Sequence, residues 1–508
     1  MNAMKWYGRS GFRMLFAGCL IATVASGWAP AAPGPEEPTV PKELRGYRKR
    51  LIEVMKGLRV PGIAVAVVKD GKIIYLDAVG ERDPDKHLPV TPDTVFYIAS
   101  CTKTFVATAI LSLAADGKID LDAPVRRYLP RFELADAEAT KSITIRDLLA
   151  HAKGLNCGPV VWLDAYTGEI TEDRYYRWLR DATPSGSHRY TNVHYTLLGR
   201  VIEAVSGKPW KDFLDERVFG PAGMKRSTGY ASKLYGHVDA AIPSIRKGDG
   251  FTAAAVRKTD NTMHAAGGTG ASVRDLARWI LLNLNGGTID GVTVLPRKWM
   301  SQMHKLQDAG PQPLPSFVPR TRDGHGFAWW VGTYRGNAFL EHGGGYVGTA
   351  ASISFMPQKN MGVAVVANAD GAAAQFVTME IYDRLLGVEG KDLLPRFSGF
   401  IDARLARTRQ KTPGNPNPAE NGLPLPASAY VGAYEHKDWG TIHVRYAGGK
   451  IVGTQGALSL SFESTGKDAF MLSYGTGEPD QGRCDIKDGR VCAIMLQLYD
   501  EPYRFVRE

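Results

Sequence analysis

Ser100-Cys101-Thr102-Lys103 opens an apolar run in which Phe105, Val106, Ala109, Ile110, Leu113 and Ala114 recur at a helical period, and Asp116-Gly117 supplies a stop. The spacing predicts a helix with a hydroxyl and an amine one turn apart on one face. Lys103 then lies within hydrogen-bond reach of the Ser100 oxygen and can assist its deprotonation. At a helix N-terminus, unpaired backbone N–H groups and the positive dipole end favour an alkoxide and a developing oxyanion. The same Ser-x-x-Lys pattern occurs at Ser244-Ile245-Arg246-Lys247 and Ser464-Thr465-Gly466-Lys467. Neither opens an apolar helical run, and both are expected to be surface loops. Ser100 is the candidate nucleophile.

Working outward, residues 42 to 57 carry a basic amphipathic helical pattern, and Pro61 to Val68 reads as a buried strand that Asp70-Gly71 turns back into Lys72-Ile73-Ile74-Tyr75. Residues 100 to 300 are mostly helical. Strand patterns return at Trp329 to Tyr334, Ala338 to Glu341, Ala350 to Phe355 and Val363 to Asn368, followed by a helix near Ala373 to Leu386. Strands at both ends with helices between them imply an α/β (α+β) fold. Its antiparallel sheet is flanked by helices and carries an inserted all-helical subdomain, with a cleft between the two for a site.

The polar stretch Thr408 to Pro426 holds Pro413, Pro416, Pro418, Pro424 and Pro426 and reads as an extended linker. Beyond it, Tyr430 to Glu508 carries about eight short strand patterns at the spacing of a small antiparallel barrel. The expected organisation is a signal peptide over 1–29, a catalytic domain over 42–390, a helix and Pro-rich linker over 391–427, and a barrel over 428–508.

The first thirty residues stand apart. Lys5, Arg9 and Arg13 precede an apolar run from Met14 to Val24, followed by Ala25, Ser26 and Gly27, the pattern of a secretory signal peptide. A membrane anchor is the alternative, though the run is short for a span. The expected location is periplasmic or extracellular, with no stable membrane span after signal removal. The composition of the 508 residues, 44% hydrophobic and 22% charged, is that of a globular protein. The net charge of +10 comes from dispersed residues, which argues against a nucleic-acid patch. Cys484 and Cys492 flank Lys487-Asp488-Gly489, and a three-residue hairpin loop there would set them opposite one another, where export permits a disulfide. Cys101 is expected to be a small buried hydrophobe.

Two further segments could complete a site. Tyr190-Thr191-Asn192 begins another helix that runs through Glu203. A tyrosine, with an ordinary pKa near 10, would act as a base only if a cation such as Lys103 lowered it. Glu341-His342-Gly343-Gly344-Gly345-Tyr346 lies between strand patterns, and its glycines would let backbone approach a substrate closely.

Taken in this order, the three segments resemble the class C β-lactamase and penicillin-binding-protein-like serine hydrolases, whose motifs are Ser-x-x-Lys, Tyr-x-Asn and a Lys-or-His-x-Gly on a strand. The resemblance covers about residues 45 to 390 and includes Val60-Pro61-Gly62, Asp147-Leu148-Leu149, Ala266-Gly267-Gly268 and Gly326-Phe327-Ala328-Trp329. It implies that Ser100 is acylated, that Lys103 and Tyr190 move its proton, and that Asn192 contacts a substrate amide. It also places His342 at the strand motif beside Gly344, with the N–H groups of Ser100 and Gly345 as the oxyanion hole. The C-terminal barrel resembles the lipocalin-like domain that accompanies some of these hydrolases. Oligomerisation through it is one expectation, and an apolar ligand inside it another.

Two departures bear on substrate. His342 stands where β-lactamases carry lysine and is mostly neutral near pH 7, so weak or no β-lactamase activity is expected. The family's His-Thr-Ser-Gly-Leu reads His151-Ala152-Lys153-Gly154-Leu155, placing Lys153 either in solvent or in the acyl pocket. Esters, D-amino-acid peptides and cell-wall muropeptides stay open as substrates, as does a penicillin-binding sensor that acylates without turnover. The eleven histidines show no metal-ligand spacing, and neither metal nor cofactor is expected.

Overall fold

The computed structural model describes residues 40–388, 392–399, 425–465, 468–474, 480–498 and 501–508. The signal-peptide pattern and nearly all of the Pro-rich linker lie outside them. No helix among the described residues is long and apolar enough to cross a membrane.

Six long strands build the central sheet: β1 (Gly62–Lys69), β2 (Lys72–Asp83), β3 (Trp330–Tyr334), β4 (Asn337–Tyr346), β5 (Thr349–Met356) and β6 (Met361–Ala367). Their spatial order is β3-β4-β5-β6-β1-β2, all neighbours antiparallel, with the short strands Gly324–His325 and Leu88–Pro89 at the two edges. The termini of the domain thus meet at the β1–β6 pair. The unbroken apolar run of β1 follows from burial on both faces, because successive side chains point to opposite sides. Ile63, Val65 and Val67 pack under α1 (Tyr47–Gly57) and the C-terminal helix of the domain, Ala373–Leu385. Ala64, Ala66 and Val68 face the main core, which also buries α2 (Thr102–Ala115). Each fully buried Val or Ile contributes about 1.5–3 kcal/mol of transfer free energy. Because α2 is buried on every side, it has no solvent-facing polar stripe, and its few polar residues, such as Lys103, Thr104 and Thr108, are buried too.

The helical subdomain contributes α3 (Glu172–Arg180) and α4 (Asn192–Ser206), and α5 (Val273–Leu284) and α6 (Ala373–Leu385) cover the two faces of the sheet. Thr191 caps α4 through its side chain, and Gly207 ends it with φ of 69°.

Residues 432–507 form a closed eight-stranded barrel, its first strand Gly432–His436 pairing with its last, Glu501–Arg507. Tyr434, Trp439, Leu472 and Phe505 fill it. One small cavity inside it, about 20 Å³, is lined by Tyr434, Val444, Ile451, Phe470 and Ile494. The barrel docks on the helical subdomain. Trp178 Nε1 donates to the Asp438 carbonyl at 3.1 Å and its ring meets Trp439 edge-on at 5.3 Å, while Ala457 N–H donates to the Thr167 carbonyl at 2.8 Å.

The disulfide expectation fails on register. Asp488 and Gly489, with φ of 50° and 76°, make a two-residue turn, and a bulge between Asp485 and Ile486 sets Cys484 opposite Ile494. Both cysteines are free thiols. Ser244 also departs from expectation: it is buried and starts a strand, Ser244–Lys247, of a small hairpin, while Ser464 ends the barrel strand Leu458–Ser464.

Candidate functional site

Ser100 sits in a single 3-10 turn, Ala99–Cys101, that runs into α2. Ala99 holds φ at 46°, a strained setting for a residue with a Cβ and one that clusters at functional sites. The surroundings fix the turn. Ile98 N–H donates to the Thr269 carbonyl at 3.0 Å, the Thr102 and Thr269 hydroxyls meet at 2.7 Å, and the Cys101 thiol donates to the His342 carbonyl at 3.5 Å. Cys101 is fully buried, as expected of a small hydrophobe.

Lys103 is fully buried one turn on, with Nζ 3.1 Å from Ser100 Oγ, 2.8 Å from Asn192 Oδ1 and 2.5 Å from the Ala266 carbonyl. No carboxylate pairs with it among the described residues, and burial drives its pKa well below that of an ordinary lysine. A neutral amine has two protons and one lone pair. In that form the Asn192 and Ala266 oxygens, which can only accept, take the two protons and leave the lone pair for the Ser100 hydroxyl.

Tyr190 hydrogen-bonds Ser100, and Lys103 Nζ lies 4.8 Å from its ring centroid. Contrary to the expectation of a cation-lowered phenol, burial raises its pKa above the usual value. Burial, the dominant cause, keeps the phenol protonated.

The glycine run is not a turn. His342 to Tyr346 continue β4, pairing with Thr349 to Ile353 of β5, while β3 stops pairing at Glu341 and leaves that edge of β4 open. At Gly344 a Cβ would lie 2.0 Å from the Ile98 carbonyl and 3.3 Å from the Ser100 nitrogen, so only glycine lets β4 reach the nucleophile turn. Gly345 is exposed, with open space around its missing side chain. His342 donates from Nδ1 to the Gly343 carbonyl at 2.7 Å, which leaves Nε2 as a buried acceptor without a partner. Burial above all pushes its pKa down to about 3, so the ring is neutral.

These groups meet at a cavity of about 340 Å³ that Ser100, Tyr190, His342 and the three glycines line together with Arg322 and Trp330. Arg322 was not singled out by sequence. It stacks 4.9 Å from the Trp330 ring centroid and donates Nε to Glu341 at 2.8 Å. Arg320 also binds Glu341, at 2.6 Å, so two cations share one carboxylate and the local balance is positive. Nothing in the sequence near Arg322 signals this, since a loop brings it to β4 from twenty positions away. Lys153 lies off the site, in a half-exposed ion pair with Asp147 at 3.2 Å. Among the described residues no group of His, Cys, Asp and Glu is arranged to hold a metal ion.

The family model described as Beta-lactamase matches residues 48–387. Penicillin-binding protein 4 of Amycolatopsis lactamdurans is 30% identical over 336 residues, 65% of this chain and 85% of that protein. Unguisins hydrolase ungD of Aspergillus violaceofuscus is 25% identical over 469 residues, 84% of this chain and 82% of that protein. Among solved structures, the octameric penicillin-binding protein homologue from Pyrococcus abyssi shares the fold with a TM-score of 0.58 at 23% identity, covering 91% of this chain and 100% of its own.

Proposed function

Because the chain belongs to the β-lactamase family, we propose that it is an exported serine hydrolase that cleaves esters or amides through an acyl-Ser100 intermediate. The observation that carries this reading is the buried Lys103 Nζ, 3.1 Å from Ser100 Oγ, with no carboxylate paired to it among the described residues. Lys103 takes the Ser100 proton as Oγ bonds to the substrate carbonyl carbon. The N–H groups of Ser100 and Gly345 hold the oxyanion. As the carbon–heteroatom bond breaks, the Tyr190 phenol gives its proton to the leaving group and is reprotonated from Lys103. Water then attacks the acyl carbon along the same path in reverse, its proton returning through Lys103 to Ser100. Asn192 and the Nε2 acceptor of His342 orient the substrate.

Arg322 favours a substrate that carries an anionic end, such as the terminal carboxylate of a short D-amino-acid peptide or muropeptide. Arg322 would attract a β-lactam carboxylate as well, so the expectation of weak β-lactam turnover rests on the neutral His342 standing where β-lactamases carry lysine. Profiling the purified protein against p-nitrophenyl esters, D-alanyl peptides and a fluorescent penicillin tests this, with Ser100→Ala as control. Turnover of an ester or peptide that disappears in Ser100→Ala is expected. A persistent penicillin adduct with no product released from any substrate would instead identify a binding protein that acylates once.

A further inference from the structure

Behind the loop that holds Lys103 lies a second cavity, of about 360 Å³. One wall is the face of α4 that carries Thr196, Gly199, Arg200 and Glu203. Since Asn192 starts the same face, the cavity begins about 6 Å along the helix from the catalytic cleft and reaches Arg200 at about 12 Å. The opposite wall includes His264 and Ala265, next to the Ala266 carbonyl that accepts from Lys103. Gly199 makes this approach possible, because a Cβ there would lie 2.5 Å from that of Ala265.

Most charges around this cavity are engaged with the protein. Lys211 donates to the Asp260 carbonyl at 2.6 Å, Asp260 accepts from Ser232, and Glu203 accepts from Trp210 N–H at 3.2 Å. Three groups are not. The Asp164 carboxylate, 15% exposed, accepts no hydrogen bond among the described residues, and within ion-pair distance it has His264 Nδ1 alone among them, at 3.9 Å. His264 is 7% exposed and its Nδ1 is buried without a hydrogen-bond partner. The Arg200 guanidinium stacks 3.9 Å from the Tyr175 ring centroid, and no carboxylate lies within ion-pair distance of it among the described residues. An unpaired buried carboxylate is costly, and burial raises the Asp164 pKa to about 6 even with Arg200, Lys258 and Lys211 in its neighbourhood. An acid and a base, both unsatisfied and facing one cavity too polar for an apolar guest, define a ligand with two opposite charges.

We propose that this cavity binds a small zwitterion, an α-amino acid or the amino-acid end of a short peptide, with its ammonium on Asp164 and its carboxylate on Arg200, and with His264 Nδ1 as a further hydrogen-bond partner. The site is distinct from the cavity at Ser100 and does not depend on turnover. Calorimetric titration of the full-length Ser100→Ala protein with D-alanine, L-alanine, N-acetyl-D-alanine and D-alaninamide reads the charge requirement directly. A D-alanyl-D-alanine arm separates a free amino acid from a peptide end. The expected result is saturable binding of an alanine or the dipeptide. The acetylated and amidated forms should bind at least ~10-fold more weakly, because each lacks one charge-assisted contact. Adding Asp164→Asn or Arg200→Gln should lower the affinity by a similar factor while the melting temperature stays near that of the parent. If either variant fails to fold, the other and the ligand series still decide. Equal binding of the charged and blocked ligands, or no binding to folded protein, overturns the proposal.

Discussion

In the proposed mechanism the chemistry turns on Lys103, and its burial sets two opposed effects. Its pKa is depressed in the folded protein, so the unfolded chain binds the extra proton and this residue's contribution to stability rises with pH. Replacing it with methionine removes that cost along with the base. Lys103→Met is therefore expected to melt at a higher temperature than the parent while ester hydrolysis falls by about 10²–10⁴-fold. Paired calorimetry and kinetics check both halves, and a loss of stability greater than leaving the Asn192 and Ala266 oxygens unpaired can account for, about 1–3 kcal/mol each, would contradict the neutral-amine assignment. The sign for activity follows from the same shift: rate is lost as pH falls through the depressed pKa of Lys103. His342, already neutral down to about pH 3, should add no limb between pH 5 and 8. His342→Gln is expected to leave the pH profile of kcat unchanged. Ser100 and Lys103 were legible in the sequence because their spacing is local to one helix start. The state of Tyr190 was not, because burial by residues distant in the chain, rather than the neighbouring lysine, decides it.

Among the elements, β4 is where sequence and structure part. Three consecutive glycines lie outside the strand patterns on either side, yet they continue a strand, because β5 supplies an unbroken partner and the nucleophile turn leaves no room for a side chain at Gly344. Gly344→Ala drives a Cβ into the Ile98 carbonyl and is expected to cut acylation at least ~100-fold by displacing an oxyanion donor. Gly345→Ala meets open space and is expected to keep its fold; equal melting temperatures for the two alanine variants would contradict the close approach. The hairpin at Asp488-Gly489 teaches the same lesson from the other direction. Its turn was legible, but the loop has two residues rather than three and a bulge adds one more, so Cys484 faces Ile494, two positions from Cys492, and bulges leave little trace in local patterning.

For the molecule as a whole, the antiparallel sheet, the helical insertion and the eight barrel strands could all be read from periodicity, since each strand announces itself over a few residues. How the barrel sits could not. Trp178 and Trp439 meet across 261 positions with no local signature, and the two charged residues behind them, Arg177 and Asp438, are ordinary surface types in the sequence. Trp439→Ala removes a buried ring at the docking face and is expected to cost about 3–5 kcal/mol in barrel stability, seen as a separate low-denaturant transition. One unshifted cooperative transition would contradict the docking. Arg322, Asp164 and Arg200 belong to this scale too. Each gains its meaning only when the fold closes a cavity around it.

Intact-mass analysis of the full chain during reaction with an activated ester, followed by peptide mapping, is the most direct test of the central claim. The account predicts a transient acyl adduct confined to the peptide bearing Ser100, accumulating when Tyr190→Phe slows its release, and absent from Ser100→Ala. Hydrolysis that survives in Ser100→Ala, or an adduct that maps to another residue, would contradict it.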